Sequence, residues 1–336
     1  MIIGNIDTDK EIMIVAEIGN NHEGSYTLAE ELIGLAAESG VQAVKFQTFR
    51  TDLFVDPSNQ PRFWRLKKFE LSFQDFERLS KVAAQSGLLF LSTPLDMESA
   101  RFLNDHVCAF KIASGDNNFF PLLRFVAETK KPIILSGGAA DTEQLKYSRD
   151  FLYGIWDAHE TQKSLAVLHC VTAYPVPPEQ INLAAISHLK RELGCTVGYS
   201  DHSLGITAAV LSVALGARIV EKHFTMDKQF SDFRDHQLSA DLNEMRRLVE
   251  GVRETELILG RGIKVVQESE KAVIEAVRRS VAAGRDLPKG TVIAWNDLAW
   301  TRPATGIPPG KEELVIGKEL LVSVQKGKAI LSEYMK

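Results

Sequence analysis

The chain has 336 residues, 45% of them hydrophobic and 25% charged, the make-up of an ordinary folded protein, which excludes wholesale disorder, collagen-like repeats and a coiled coil. That length suits two or three domains of roughly 100–200 residues, or one barrel of about 250 residues with a small appendage. With 39 Lys and Arg against 44 Asp and Glu the formal charge is −5. No overall basic field therefore favours nucleic acid or an anionic membrane, and an anionic ligand must be held by local groups.

Residues 1–9 are acidic and lack a basic segment followed by an apolar one, so no signal peptide is expected. Three cysteines, Cys108, Cys170 and Cys195, form an odd set without C-x-x-C spacing; reduced thiols in a cytoplasmic enzyme are expected. The most apolar long stretch, 206–220, is short for a membrane span and contains Ser212, Gly216 and Arg218. It reads as a helix followed by a strand.

Eight short apolar runs read as strands: 12–17, 43–47, 88–92, 109–112, 132–135, 165–169, 196–199 and 219–223. Between them lie helical patterns with recognisable stops. Residues 28–39 end at Gly40, 74–86 (N-capped by Ser72) at Gly87, 206–215 at Gly216, and 243–259 at Gly260. Strands that are apolar throughout belong to a parallel sheet covered on both faces, and eight strand–helix units are what a closed (β/α)8 barrel needs. A doubly wound open sheet is the alternative. No Gly-x-Gly-x-x-Gly follows the first strand, however, and polar residues gather at nearly all the strand ends rather than at one switch point.

After Gly262 a charged connector, 263–279, leads into short pieces at 280–283, 291–293 and 319–321, separated by Gly- and Pro-rich turns. The expected organisation is a catalytic barrel over 1–262, the linker, and a small all-β module over 280–336.

Glu17, Lys45, Thr93, Lys111, Ser114, Ser136, Ser200, His202 and His223 all stand at or just beyond strand ends, where a barrel brings them to one mouth. Lys45 and Lys111 with Ser114, Ser136 and Gly-flanked amides are an inventory for holding a phosphate. His202 and His223, ending adjacent strands, can share a divalent cation, although two nitrogens do not identify it. Glu17 and Asp235 are the available carboxylates for acid–base work or for binding a hydroxyl; the bland alternative for Glu17 is a buried ion pair with Lys45 or Lys222.

In order, Ala16-Glu-Ile-Gly-Asn-Asn-His-Glu-Gly24, Val44-Lys-Phe-Gln-Thr48, Ser92-Thr-Pro94, Lys111-Ile-Ala-Ser-Gly115, Leu168-His-Cys-Val-Thr-Ala-Tyr-Pro175, Val197-Gly-Tyr-Ser-Asp-His202, Glu221-Lys-His-Phe-Thr225 and Asp235-His236 resemble the sialic acid synthases and, more broadly, the nonulosonic acid synthases. The tail, with Arg278-Arg-Ser280 and Thr301-Arg-Pro303, is similar to their antifreeze-like (SAF) domain. The resemblance implies a (β/α)8 barrel that condenses phosphoenolpyruvate with the aldehyde of an N-acylated amino sugar and releases phosphate. It implies a divalent metal on His202 and His223, manganese with magnesium or cobalt as alternatives, and phosphoenolpyruvate contacts from Lys45, Thr93, Lys111, Ser114, Ser136 and Ser200. It further implies a mechanistic Glu17, sugar-side groups at Tyr174 and Asp235, and a domain-swapped homodimer in which Arg302 reaches the neighbouring subunit's site. Three features depart from the family pattern: Ser136-Gly137-Gly138 in place of Ser-Thr-Gly, Thr172 where Asn is common, and Ser231-Asp-Phe-Arg234 before the Asp-His pair. Two rival readings are a Schiff-base pyruvate aldolase using Lys111, for which two strand-end histidines are superfluous, and a catalytically silent carbohydrate-binding protein, for which the retained lysines, histidines and Glu17 are superfluous.

Overall fold

The apolar runs form one parallel eight-stranded sheet: β1 (Met13–Gly19), β2 (Ala43–Thr48), β3 (Leu89–Pro94), β4 (Phe110–Ile112), β5 (Ile133–Ser136), β6 (Leu165–Cys170), β7 (Thr196–Asp201) and β8 (Ile219–His223). The computed structural model describes all residues, Met1–Lys336, and divides into two units, Met1–Gly260 and Arg261–Lys336. In the first unit the strand order is β3-β2-β1-β8-β7-β6-β5-β4. The first strand thus pairs with the last, while β3 and β4 lie alongside each other, giving a nearly closed (β/α)8 barrel. Each strand begins and ends within two residues of its expected limits.

Local chemistry sets the helix ends. Ser25 accepts a hydrogen bond from the Leu28 amide to start Tyr26–Ser39, and Gly40, at φ 85°, ends it in the left-handed conformation that glycine adopts without strain. Ser72 and Asp75 form a reciprocal capping box on Phe73–Gln85. These helices press Leu28, Leu32, Ile33, Phe76 and Leu79 against the outward residues of the strands, among them Val44, Phe46, Phe90 and Val220.

Inside the barrel, Val15, Ala43, Leu91, Ala109, Ile134, Ala166, Leu168 and Ile219 form a second apolar cluster with Ile3 and Ile6 of the N-terminal hairpin. Side chains alternate along a strand, so the residues two positions further on face inward as well. Those residues are Glu17, Lys45, Thr93, Lys111, Ser136, Cys170 and Glu221. Each polar side chain is thereby set above an apolar floor.

The second unit has its own core of Val281, Leu287, Ile293, Leu298, Ile307, Val315, Leu320, Val324 and Ile330. Ser280–Ala283 pairs antiparallel with Leu298–Thr301. The expected strands at 291–293 and 319–321 are reduced to isolated bridges, Val292 with Glu319 and Leu320 with Met335, because glycines and prolines interrupt the pairing. The connector folds into two single turns, Glu268–Lys271 and Ile274–Val277. No helix in the chain is long and apolar enough to cross a membrane.

Candidate active site

At the carboxyl ends of the strands the inward polar layer opens into a cavity of about 400 Å3, lined by Glu17, Lys45, Thr93, Lys111, Ser114, Ser136, Tyr174, Ser200, His202 and His223. Ten of the twelve residues singled out in the sequence are therefore brought together. Strand register accounts for the arrangement, since Glu17 stands opposite Lys45 on one side and opposite His223 on the other, and Glu221 stands opposite Ser200.

Four buried charges form the floor. Lys45 Nζ lies 2.7 Å from Glu17 Oε2 and 3.5 Å from Glu221 Oε1, and Lys111 Nζ lies 3.5 Å from the same Glu221 oxygen. Thr93 Oγ1 accepts from Lys45 at 3.3 Å, and Ser200 Oγ donates to Glu221 at 3.1 Å. Burial raises the Glu17 carboxyl above its ordinary value despite the opposing Lys45 charge. For Glu221 burial is outweighed by Lys111 and Lys45, and its carboxyl falls below the ordinary value. One carboxylate is thus disposed to take up a proton and the other to remain ionised. Burial, only partly offset by Glu221, lowers the Lys111 ammonium, whereas Glu17 and Glu221 together overcome burial and raise Lys45.

The two hydroxyls of the anion-binding inventory are already in contact, Ser114 Oγ and Ser136 Oγ being 2.8 Å apart. The second glycine after Ser136 has a steric reason here. A Cβ on Gly138 would stand 2.5 Å from Ser114 Oγ and overlap Thr172 Oγ1, so only a bare backbone fits between those two side chains.

His202 and His223 face each other with ring centroids 5.4 Å apart, and Tyr174 stacks on His202 at 4.1 Å. Burial holds His223 well below the ordinary histidine value, as a neutral imidazole, and its Nδ1 is buried without a hydrogen-bond partner. His202 Nδ1 is engaged by the Val171 carbonyl at 2.9 Å, which leaves Nε2 as the free donor nitrogen. The two imidazoles, one neutral with an unpartnered Nδ1 and the other with Nε2 free, fit a divalent cation that they would hold in part. No group of three or more His, Cys, Asp and Glu side chains stands ready to hold a metal by itself.

Asp235 lies outside the cavity lining. It is buried on the short helix Arg234–Leu238, and it connects to the site through Arg234, whose guanidinium covers the Tyr174 ring at 4.8 Å while Nε lies 3.4 Å from Asp235 Oδ1. Arg302 follows Leu298–Thr301 in the second unit and is exposed. Lys222 is not the partner of Glu17. It faces the opposite side of β8 and forms a wholly buried pair with Asp201 at 3.0 Å, as the two-residue strand period requires.

Several lining residues had been given no role in the sequence reading: Glu221, Gln47, Asp116, Phe54 and Arg62. Gln47 Nε2 donates to Glu17 Oε1 at 3.2 Å, and burial pushes the Asp116 carboxyl up to about 6. Glu221 and Gln47 share the inward parity of Lys45 and Glu17, which was the available signal. Phe54 and Arg62 come from Thr51–Phe54 and Gln60–Phe69, two short helices inserted after β2 that were not separated from the connection in the sequence reading. Cys170 Sγ, 3.6 Å from His202 Nδ1, was read only as a reduced thiol; all three cysteines are unpaired.

Residues 32–264 match the NeuB family and residues 278–333 match the SAF domain. The N,N'-diacetyllegionaminic acid synthase of Legionella pneumophila is 38% identical over 96% of this chain and 94% of its own. The pseudaminic acid synthase of Campylobacter jejuni is 34% identical over 98% of both chains. The crystal structure of the N-acetylneuraminic acid synthetase of Leptospira borgpetersenii in complex with citrate aligns at a TM-score of 0.76 with 33% identity, covering 82% of this chain and 95% of that one. With both segments matched and relatives aligned along nearly its whole length, the chain belongs to the NeuB family.

Proposed function

We infer that the protein condenses phosphoenolpyruvate with the open-chain aldehyde of an N-acylated amino sugar, adding water and releasing phosphate to give a nine-carbon 2-keto acid of the sialic, legionaminic or pseudaminic type. The observation that carries this reading is the floor of two lysines, two carboxylates and paired serine hydroxyls beneath two imidazoles, in a chain of this family.

Lys45, Lys111, Thr93, Ser114, Ser136 and Ser200 hold the phosphate and carboxylate of phosphoenolpyruvate through charge-assisted and hydroxyl hydrogen bonds. His202 and His223 would hold a divalent cation, manganese with magnesium or cobalt as alternatives, and when bound it supplies Lewis acidity to the sugar's aldehyde oxygen. The enol carbon bonds to the aldehyde carbon, and positive charge develops on the carbon that bears the phosphate oxygen. Glu17 stabilises that charge and takes a proton from the incoming water, a role consistent with its raised pKa. The carbon–oxygen bond to phosphate then breaks and the ketone forms. Tyr174 and Asp235 serve the sugar side, and Arg302 of a second copy completes it in an exchanged dimer.

Phosphate release from phosphoenolpyruvate, measured with manganese against N-acetylmannosamine and diacetamido-trideoxyhexoses, tests the reading. Metal- and sugar-dependent release is expected. Release with no sugar in the panel, or borohydride trapping of pyruvate on Lys111 in place of phosphate release, would overturn it.

A further inference from the structure

We propose that Glu23 is a positioning residue that latches the loop between β8 and the helix Leu242–Leu259, and through that loop sets Arg234 and Asp235 over the sugar side of the cavity. The proposal rests on the reading of Asp235 as a sugar-side group. Nothing in the family match assigns Glu23 a task, and its side chain lies outside the cavity.

The loop is fastened at its base by backbone and by one side chain. The Phe224 amide donates to Glu17 O at 2.7 Å, the Ala240 amide to His223 O at 2.8 Å, and Asn21 Nδ2 to Phe224 O at 2.8 Å and to Ser239 Oγ at 3.0 Å. Within the loop, Ser239 Oγ donates to Asp235 O at 2.5 Å and Lys228 Nζ pairs with Glu244 at 2.5 Å. Glu23 adds the hold on the stretch between them. Its carboxylate accepts from Ser231 Oγ, and its Oε1 lies 3.4 Å from Nε2 of His236, whose Nδ1 is 2.7 Å from Thr225 Oγ1. Phe233 seats its ring against Phe69 at 5.1 Å. Arg234 and Asp235 fall between the residues Glu23 holds, and Arg234 covers Tyr174, which in turn stacks on His202. A continuous line of contacts therefore runs from Glu23 to the imidazole pair.

The backbone beneath Glu23 has the geometry of a residue held in place. Glu23 sits at φ 47°, a left-handed conformation uncommon for a residue with a side chain. Gly24 follows at φ 82° with its Cα so close to the main chain that a Cβ would overlap Lys68 O. Such a conformation persists where surrounding contacts over-determine it; here the Glu23 amide donates to Asn20 O at 2.9 Å and its carboxylate accepts from Ser231 Oγ, with His236 Nε2 3.4 Å away.

Four variants test the latch: Glu23→Ala, Ser231→Ala, the double Ala variant and Glu23→Gln. Two measurements are made on each, hydrogen exchange of the full chain and KM for N-acetylmannosamine, 2,4-diacetamido-2,4,6-trideoxymannose and phosphoenolpyruvate. Exchange over residues 227–237 should accelerate in Glu23→Ala while the barrel strands stay protected. KM for the accepted sugar should rise roughly tenfold, the scale of one lost charge-assisted hydrogen bond, with KM for phosphoenolpyruvate within about twofold of wild type. Because both single changes break one contact, the double variant should be far less than additive, and Glu23→Gln, which keeps an acceptor for Ser231, should recover most of the loss. Should Glu23→Ala fail to fold, Ser231→Ala gives the same two measurements. Unchanged exchange at 227–237, or equal rises in both KM values, would overturn the latch. If wild type turns over no sugar, the proposed function fails instead, and the exchange experiment alone decides the latch.

Discussion

Glu17 Oε2 lies 2.7 Å from Lys45 Nζ, and the two residues stand directly opposite each other on neighbouring strands. Removing Lys45 therefore leaves two buried carboxylates, Glu17 and Glu221, without a shared counter-ion, whereas removing Lys111 leaves Glu221 still facing Lys45. Lys45→Ala should lose about 3–5 kcal/mol of stability, the cost of an orphaned buried charge, and Lys111→Ala less. Each should weaken phosphoenolpyruvate binding by about 1.5–3 kcal/mol. Urea denaturation and calorimetric titration check both. The pair Glu17→Gln with Lys45→Met should regain stability without regaining turnover.

Glu221→Gln should act in the opposite sense on anions. It removes the carboxylate that faces both lysines, leaving positive charge unbalanced in a buried site, so the apo protein should be less stable and inorganic phosphate should bind more tightly than in wild type. Thermal unfolding with and without phosphate reads this directly: a larger rise in Tm on adding phosphate is expected in the variant than in wild type. An equal or smaller rise would show that Glu221 does not oppose anion binding.

Asp116 contributes its own pH dependence to stability. Burial raises its carboxyl from 3.8 to about 6, so between those values the folded chain binds more protons than the unfolded one and stability falls as pH rises. Asp116→Asn removes that loss. Its stability relative to wild type should climb between pH 4 and pH 6 and level off above, by about 1–2 kcal/mol once solvent screening of this partly exposed group is allowed for. Denaturant midpoints at pH 4.5 and 7.5 measure the difference, and a constant gap would refute it.

The barrel was legible because its signal is local. Each strand is a short apolar run, and each helix carries its own stop, such as Gly40 after Tyr26–Ser39. Lys45, Lys111, Glu17 and the histidines were legible because a parallel barrel sends all strand ends to one mouth. Glu221 went unassigned although it shares the parity of His223 two residues on; register with β1 and β7 settles that these two face inward and Lys222 does not. Arg62 and Phe54 were hidden for a different reason: they lie in the connection after β2, and only the closed barrel places it over the cavity. Asp235, expected on a polar loop after the last strand, lies outside the cavity lining and meets it by way of Arg234, a contact that spacing in the sequence does not reveal.

Subunit exchange can be tested by mixing. Arg302→Ala subunits combined with Glu17→Ala subunits should regain part of the lost activity, since an exchanged dimer collects both defects at one site and leaves the other whole. Absence of recovery after verified exchange of labelled subunits would rule out a contribution of Arg302 in trans.

The missing side chain at Gly138 makes Ser114 and Thr172 share one wall; in the proposed function phosphoenolpyruvate takes the Ser114 side, and the loop leading to Tyr174 lies on the other. Any residue larger than glycine at 138 has to displace both at once, so a change made there to suit a new sugar would also disturb the common substrate. Thr172 has no such tie, because trimming it opens space without pressing on Ser114. On the proposed function, a shift of sugar preference is thus steered toward the turn after β6 and away from position 138.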